Sequence, residues 1–163
     1  MLDFSTPRET VVVCTRGKFN QMGVEKEKDN ICAVDWHMPV SPEHFAISLS
    51  KSSLSYELIN NSRVFVVNFV PYSFASKVVK IGYVSGKTHN KFNDFEIRKE
   101  EADGVECSYL REAVAYLSCH VSNEIEIGDY VIFVGKVVSF REFVKGAKRL
   151  FHLREDKFTK MED

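Results

Sequence analysis

A mainly β domain of the α+β class, closed into a barrel, is the fold the sequence predicts, and three observations lead to it. Short apolar or β-branched runs bounded by Gly and Pro recur along the chain. Only two segments carry a helical pattern. Those two interrupt the strands without alternating with them as a parallel β-α-β sheet would require.

The elements follow in order. Thr10-Val11-Val12-Val13-Cys14-Thr15 is β-branched and reads as a strand ended by Gly17. Glu25-Lys26-Glu27-Lys28-Asp29, beside Gly23, reads as a solvated turn. Residues 30–36 form a second strand, Pro39 and Pro42 break the chain, and residues 43–49 form a third. Ser53 or Ser55 caps a helix running through Tyr56, Leu58 and Ile59 to Asn60-Asn61. Residues 64–70 are apolar at nearly every position, as expected of a strand buried on both faces. Pro71 stops it, residues 73–81 read as a second short helix, and residues 82–95 as a functional loop. Residues 114–127 and 130–143 form a hairpin around Gly128-Asp129. Beyond Gly146, Arg149-Leu150-Phe151-His152-Leu153 is a final strand, followed by an exposed charged tail.

With 163 residues, no repeat and no low-complexity linker, the chain is read as one domain over residues 1–163. A hydrophobic share of 44% and a charged share of 28% fit a globular protein. The formal net charge of −1 gives no reason to expect nucleic acid or an anionic membrane as partner. No secretory leader and no bilayer-length apolar run are visible. Cys14, Cys32, Cys107 and Cys119 form no CxxC pair, and His37, His44, His89 and His120 show no HxxxH spacing. No metal is therefore assigned, and a reducing, cytoplasmic setting is expected. GxGxxG, GxxxxGK[ST] and GxSxG are all absent, so nucleotide binding by a Rossmann or P-loop domain is not expected.

Several segments together carry a resemblance. They are Asn30-Ile31-Cys32-Ala33-Val34-Asp35-Trp36, the run Phe45 to Leu49 with Tyr56-Glu57-Leu58-Ile59 behind it, Phe65-Val66-Val67-Asn68, Val84-Ser85-Gly86 with Asn90-Lys91-Phe92, and residues 128–137. In order and spacing, over most of the chain, they resemble the flavin reductase-like family, whose members bind FMN on a split β-barrel. The resemblance implies FMN as cofactor, NADH or NADPH as co-substrate, a homodimer whose partner subunit completes the pocket, and a small-molecule electron acceptor.

It also implies a site. The turn Ser50-Lys51-Ser52-Ser53-Leu54-Ser55 would hold the phosphate, and Ser48, Leu49 and Tyr56 beside it are further cofactor-binding candidates. Amides, hydroxyls, a cation and a helix start suit a dianion. Family members often carry an arginine near the position of Ser55; here Lys51 stands as the candidate charge. Taken alone, the segment reads as a polar loop with a helix cap. Asn30, Ile31, Cys32, Ala33, Val34, Asp35 and Trp36 would line the isoalloxazine ring, largely through backbone amides. The bland readings are core packing for Trp36 and an inert buried thiol for Cys32. Ser85, Gly86, Lys87, Lys91 and Phe92 resemble the family's Ser-Gly-(Arg/Lys)…Asp-Lys-Phe loop, with Asn90 in place of Asp. Lys87 and Lys91 would then face phosphate or the reduced ring, where otherwise they would be solvated. His152 resembles the family's terminal Leu-(Phe/Tyr)-His-Leu histidine and is the one candidate catalytic side chain; a hydrogen-bonded strand histidine is the plain alternative. Other readings of such a barrel stay open: a flavin carrier or store without nicotinamide turnover, a pyridoxamine-phosphate-oxidase-like enzyme, or a haem-handling protein.

Overall fold

The computed structural model describes residues 4–162. Its frame is a seven-stranded sheet built from β2 (Val11–Gln21), β3 (Val24–Val34), β4 (His37–Ser41), β5 (His44–Ser50), β6 (Val64–Phe69), β9 (Ala115–Ile127) and β10 (Tyr130–Glu142). Across the sheet the order is β3-β2-β6-β9-β10-β5-β4. The two edge strands, β3 and β4, are thus neighbours in sequence, separated only by Asp35 and Trp36. A two-residue link between opposite edges is possible only if the sheet curls until they meet. The Ser48 amide donates to the Trp36 carbonyl at 2.9 Å across that meeting point. That bond extends the β4–β5 pairing into the link, and among the described residues no strand pairing joins β3 to β4 or β5, so the barrel is split along this seam.

Around β2 and β6 both sides of the sheet are buried. Val11, Val13, Phe65, Val67 and Phe133 point into the barrel. Val12, Cys14, Ile31, Val64 and Val66 point outward under α2 (Ala75–Tyr83) and α3 (Lys91–Asp94), where Val78, Ile81 and Phe92 cover them. This explains why β6 is apolar at almost every position and buried throughout. α1 (Leu54–Ser62) is capped by Ser53, whose hydroxyl accepts from the Tyr56 amide at 3.2 Å, which decides between the two candidate caps. Two small sheets complete the chain: β7 (Lys99–Glu101) with β8 (Ser108–Leu110), and β1 (Arg8–Glu9) with β11 (Phe151–Arg154) and β12 (Lys157–Thr159).

Three expectations are corrected. Gly17 does not end its strand but lies inside β2, where a Cβ would stand 2.6 Å from the Leu58 carbonyl oxygen; it lets α1 cross the strand closely. Residues 25–29 are not a turn but the start of β3, and the turn is Met22-Gly23, both at positive φ. The charged run pairs across the ribbon, Lys18 opposite Glu27 and Arg16 opposite Asp29, so it needs no apolar face. Pro39 does not end its strand, because β4 is an edge strand that tolerates a missing donor, but the register with β5 shifts between Pro39 and Ser41. The tail beyond Leu153 adds β12, whose Phe158 stacks on His152 with ring centroids 4.9 Å apart.

Candidate functional site

Beside the seam lies a cleft of about 340 Å³. One wall is the end of β3 and its link, Cys32, Ala33, Val34, Asp35 and Trp36. The other is the end of β5 with Ser48, Leu49, Ser50 and the helix cap Ser53. Ser5 and Tyr130 complete the rim, with the Tyr130 and Trp36 rings 5.4 Å apart.

The chemistry of the β3 wall follows from its edge position. In an antiparallel pair, alternate residues turn both amide and carbonyl away from the partner strand. Ile31 does so, because its carbonyl accepts from Lys91 Nζ at 3.1 Å. Its register neighbour Ala33, opposite Val12, must do the same. The Val12 carbonyl confirms the parity by accepting from Asn68 on the far side of β2 at 2.9 Å. Ala33 therefore presents a donor and an acceptor on an unpaired edge at the cleft. The opposing wall supplies hydroxyls: Ser50 Oγ meets Ser52 Oγ at 2.8 Å, and Ser53 Oγ donates to the Ser50 carbonyl at 2.8 Å.

A second hollow of about 280 Å³ adjoins the first across Ala33 and Asp35. Here Asp35 accepts from Thr10 Oγ1 at 2.6 Å and pairs with His152 Nδ1 at 2.5 Å, while His152 Nε2 meets the Glu155 carbonyl at 2.6 Å. Arg8 Nε donates to the Asp35 carbonyl at 2.8 Å. The His152 ring is thus held at both nitrogens and braces Asp35, the arrangement of a hydrogen-bonded strand histidine.

Other candidates stand behind the walls. Asn30, 3% exposed, donates through Nδ2 to the fully buried Ser55 hydroxyl at 3.0 Å, and its Oδ1 is among the few buried polar atoms lacking a partner. A Cβ at Gly86 would overlap that carboxamide, so the 85–87 loop lies directly on it. Lys28 Nζ ties this loop down through the Gly86 and His89 carbonyls. Ile31 and Phe92 are core residues, and the Tyr56 ring stacks on Phe133 at 6.0 Å inside the barrel. None of these three side chains reaches the cleft.

Lys91, expected to face phosphate or ring, is instead buried, its ammonium bound to the Ile31 and Ile81 carbonyls at 3.1 and 3.0 Å. Burial holds its pKa below the ordinary lysine value. Lys87 pairs with Glu57 at 2.8 Å beside the first turn of α1, and Lys51 pairs with Glu126 at 2.9 Å; both pairs are exposed enough to rearrange. Ser85 Oγ accepts from the Lys87 amide within its own turn. Burial pushes the Cys32 thiol up, against the opposing effects of Ser55 and Lys91, and so disfavours the thiolate.

The model of the flavin reductase like domain family matches residues 4–160. The chain belongs to that family. A relative from Archaeoglobus fulgidus, an uncharacterised protein, is 29% identical over 140 residues, covering 85% of this chain and 74% of its own. Among solved structures, the FMN-binding protein of Thermus thermophilus with bound p-hydroxybenzaldehyde superposes with a TM-score of 0.83 at 21% identity, covering 98% of this chain and 89% of that one. The flavin reductase HpaC complexed with NADP+ superposes at 0.74 and 21% identity, covering 95% and 90%. The fold is that of the family's FMN-binding barrels.

The residues of the cleft fit FMN. A planar pyrimidine edge needs paired donors and acceptors, and the open edge at Ala33 offers them. A ribityl chain and phosphate need hydroxyls and a helix start, and Ser48, Ser50 and Ser53 stand there. Sequence reasoning missed Tyr130 and Ser5. Tyr130 becomes visible only once β10 is registered on β5, which sets it opposite Ser50. Among the described residues no cluster of His, Cys, Asp or Glu could hold a metal, and no helix is long and apolar enough to cross a membrane.

Proposed function

We propose that the protein is an FMN-dependent oxidoreductase that takes hydride from NADH or NADPH and passes electrons to a small-molecule acceptor. The observation that carries this reading is the pairing, across one cleft, of the unpaired β3 edge at Ala33 with the hydroxyl-rich end of β5 and the α1 cap. Bound FMN would supply the hydride and electron chemistry. The Ala33 amide and carbonyl would orient the ring. Ser50 and Ser53, with the first amides of α1, would take the phosphate, and Lys51 would exchange Glu126 for it. Trp36 and Tyr130 would shield the ring from water. Asp35, fixed by Thr10, Arg8 and His152, would keep the β3 end rigid. No side chain is needed as a general acid or base.

The same reading makes the protein a homodimer. Register places Ile127 opposite Tyr130, Ile125 opposite Ile132, Ile132 opposite Ser48, and Ala46 opposite both Val134 and Met38, all on the sheet's outer face. Met38, Ile125, Ile127 and Tyr130 are between 40 and 57% exposed there, a patch a second copy would cover. An apolar hollow of about 350 Å³ runs from Trp36 to Ile132 on this face, next to the cleft. Four unpaired cysteines suit the reducing cytoplasm.

Mass spectrometry of the copurifying cofactor, followed by stopped-flow mixing of the FMN-loaded protein with NADH and with NADPH, tests the proposal. FMN should be found, and its visible absorption band should bleach with at least one nicotinamide. A haem or pyridoxal spectrum would overturn the cofactor assignment. FMN that bleaches with neither nicotinamide would leave a flavin carrier instead of a reductase.

A further inference from the structure

The apolar hollow of about 350 Å³ beside the cleft carries one charge on its wall, Arg8. Trp36, Met38, Ile47 and Ile132 make much of the remainder. His37 also lines it, but burial holds that imidazole below its ordinary pKa and so neutral at pH 7. Arg8 commits two groups to backbone: Nε donates to the Asp35 carbonyl at 2.8 Å and Nη2 to the His37 carbonyl at 2.9 Å. Nη1, and the edge of the fork it shares with Nη2, meet no acceptor among the described residues. The acids nearest in the structure are engaged elsewhere, Asp35 with Thr10 and His152, and Glu9 with Arg149 at 3.3 Å. A half-buried cation paired with no carboxylate, on the wall of an apolar hollow, is a costly arrangement that an anionic ligand would relieve.

Shape and charge together select a class of ligand. The volume lies at the small end of the range of about 300–1,000 Å³ typical of ligand pockets, room for little more than one ring. The Trp36 indole offers a flat wall for stacking, and Trp36 also borders the cofactor cleft, as do Ser5 and Ser48. A guanidinium fork matches a carboxylate through two parallel hydrogen bonds. A phosphate would leave its remaining oxygens against apolar side chains. We propose that the hollow binds a small aromatic carboxylate, its acid group on the Arg8 fork and its ring against Trp36. Only the further step, that the aromatic acid is thereby brought beside the flavin, rests on the FMN reading above. The hollow is concave, so a second copy laid over this face would roof it, whereas a partner side chain filling it would exclude the ligand.

Calorimetric titration of the purified protein with benzoate, and with benzamide as its uncharged counterpart of similar shape, tests this. Wild type should bind benzoate about ten- to hundredfold more tightly, the effect of hydrogen bonds to a charged group. Arg8→Met should bring benzoate down to the level of benzamide. If Arg8→Met does not fold, Ile132→Glu leaves Arg8 on its two carbonyls and adds a repelling charge to the hollow, so it should also reduce the preference for benzoate. A dimer disturbed by that change would affect both probes alike and leave their ratio unmoved. In FMN-loaded protein, benzoate should in addition shift the visible flavin band. Wild type that binds no benzoate, as when a second copy fills the hollow, would overturn the inference, and so would a preference that survives Arg8→Met. Binding with an unshifted flavin band would overturn the placement beside the ring. If wild-type protein takes up no FMN at all, the functional reading fails while calorimetry still decides the hollow, so the two failures are distinguishable.

Discussion

An added methyl group at Gly86 would run into the Asn30 carboxamide, which is itself held by Ser55. Gly86→Ala should therefore destabilise the fold by about 1–3 kcal/mol. Adding Asn30→Ala should recover part of that loss, and a double-mutant cycle of thermal melts checks it. Additive losses would mean the two residues do not meet. Ser53 has two roles, as cap of α1 and as wall of the cleft. Ser53→Ala should lower stability by about 1 kcal/mol and weaken FMN more than riboflavin, which lacks the phosphate. Equal weakening of both ligands in parallel titrations would move the phosphate elsewhere. These roles were partly legible in the sequence. A serine-rich turn before a helix announces a cap, but whether Ser53 or Ser55 faces the cleft depends on helix rotation. Packing of Leu54, Leu58 and Ile59 into the core sets that rotation and buries Ser55 completely.

At the scale of elements, the small β7–β8 hairpin is fastened to the β2–β3 ribbon by charge. Arg16 binds Asp29 and, at 2.7 Å, Glu101, and Lys99 also binds Asp29. Burial raises the Asp29 pKa, but hydrogen bonds from Arg16 and Lys99 outweigh it and leave the group below the usual carboxylate range. The Arg16 hydrogen bond likewise lowers Glu101. Both groups have depressed folded-state values. Their contribution is complete above the unfolded carboxylate range near pH 4 and is lost as pH falls through the folded values. Asp29→Asn should thus cost about 1–3 kcal/mol at pH 7 and progressively less below about pH 4. Melting curves at pH 7 and pH 3 check this; a constant difference would contradict it. The sequence showed the charges of residues 25–29 but not their partners. Glu101 and Lys99 come from a hairpin that carries no strong strand signal, and only the folded chain brings it alongside.

For the whole molecule, the homodimer proposed above would be built on the outer face of β9, β10, β5 and β4. Ile125→Asp, at 52% exposure, should leave the monomer fold intact and split the proposed homodimer. Sedimentation of wild type and variant checks it, and FMN affinity should fall together with the dimer, because the cleft opens on that face. A wild-type protein that sediments as a monomer would overturn the reading. The seven-stranded sheet, with β3 and β4 at its opposite edges, makes this arrangement possible. The chain leaves the barrel at Val34 and rejoins it at His37, and the gap it straddles is the cleft.

The sequence by itself determined the strand-rich class, the doubly buried β6, the hairpin at Gly128-Asp129 and the family, because apolar periodicity, turn residues and motif order are local properties of the chain. Tertiary structure decided which candidates meet. Strand parity opened the edge at Ala33, β10–β5 register brought in Tyr130, and packing of α2 and α3 on β3 drew Lys91 inside. Direction of a side chain depends on which face a neighbouring element covers, and that is settled only when the sheet curls and its two edges meet.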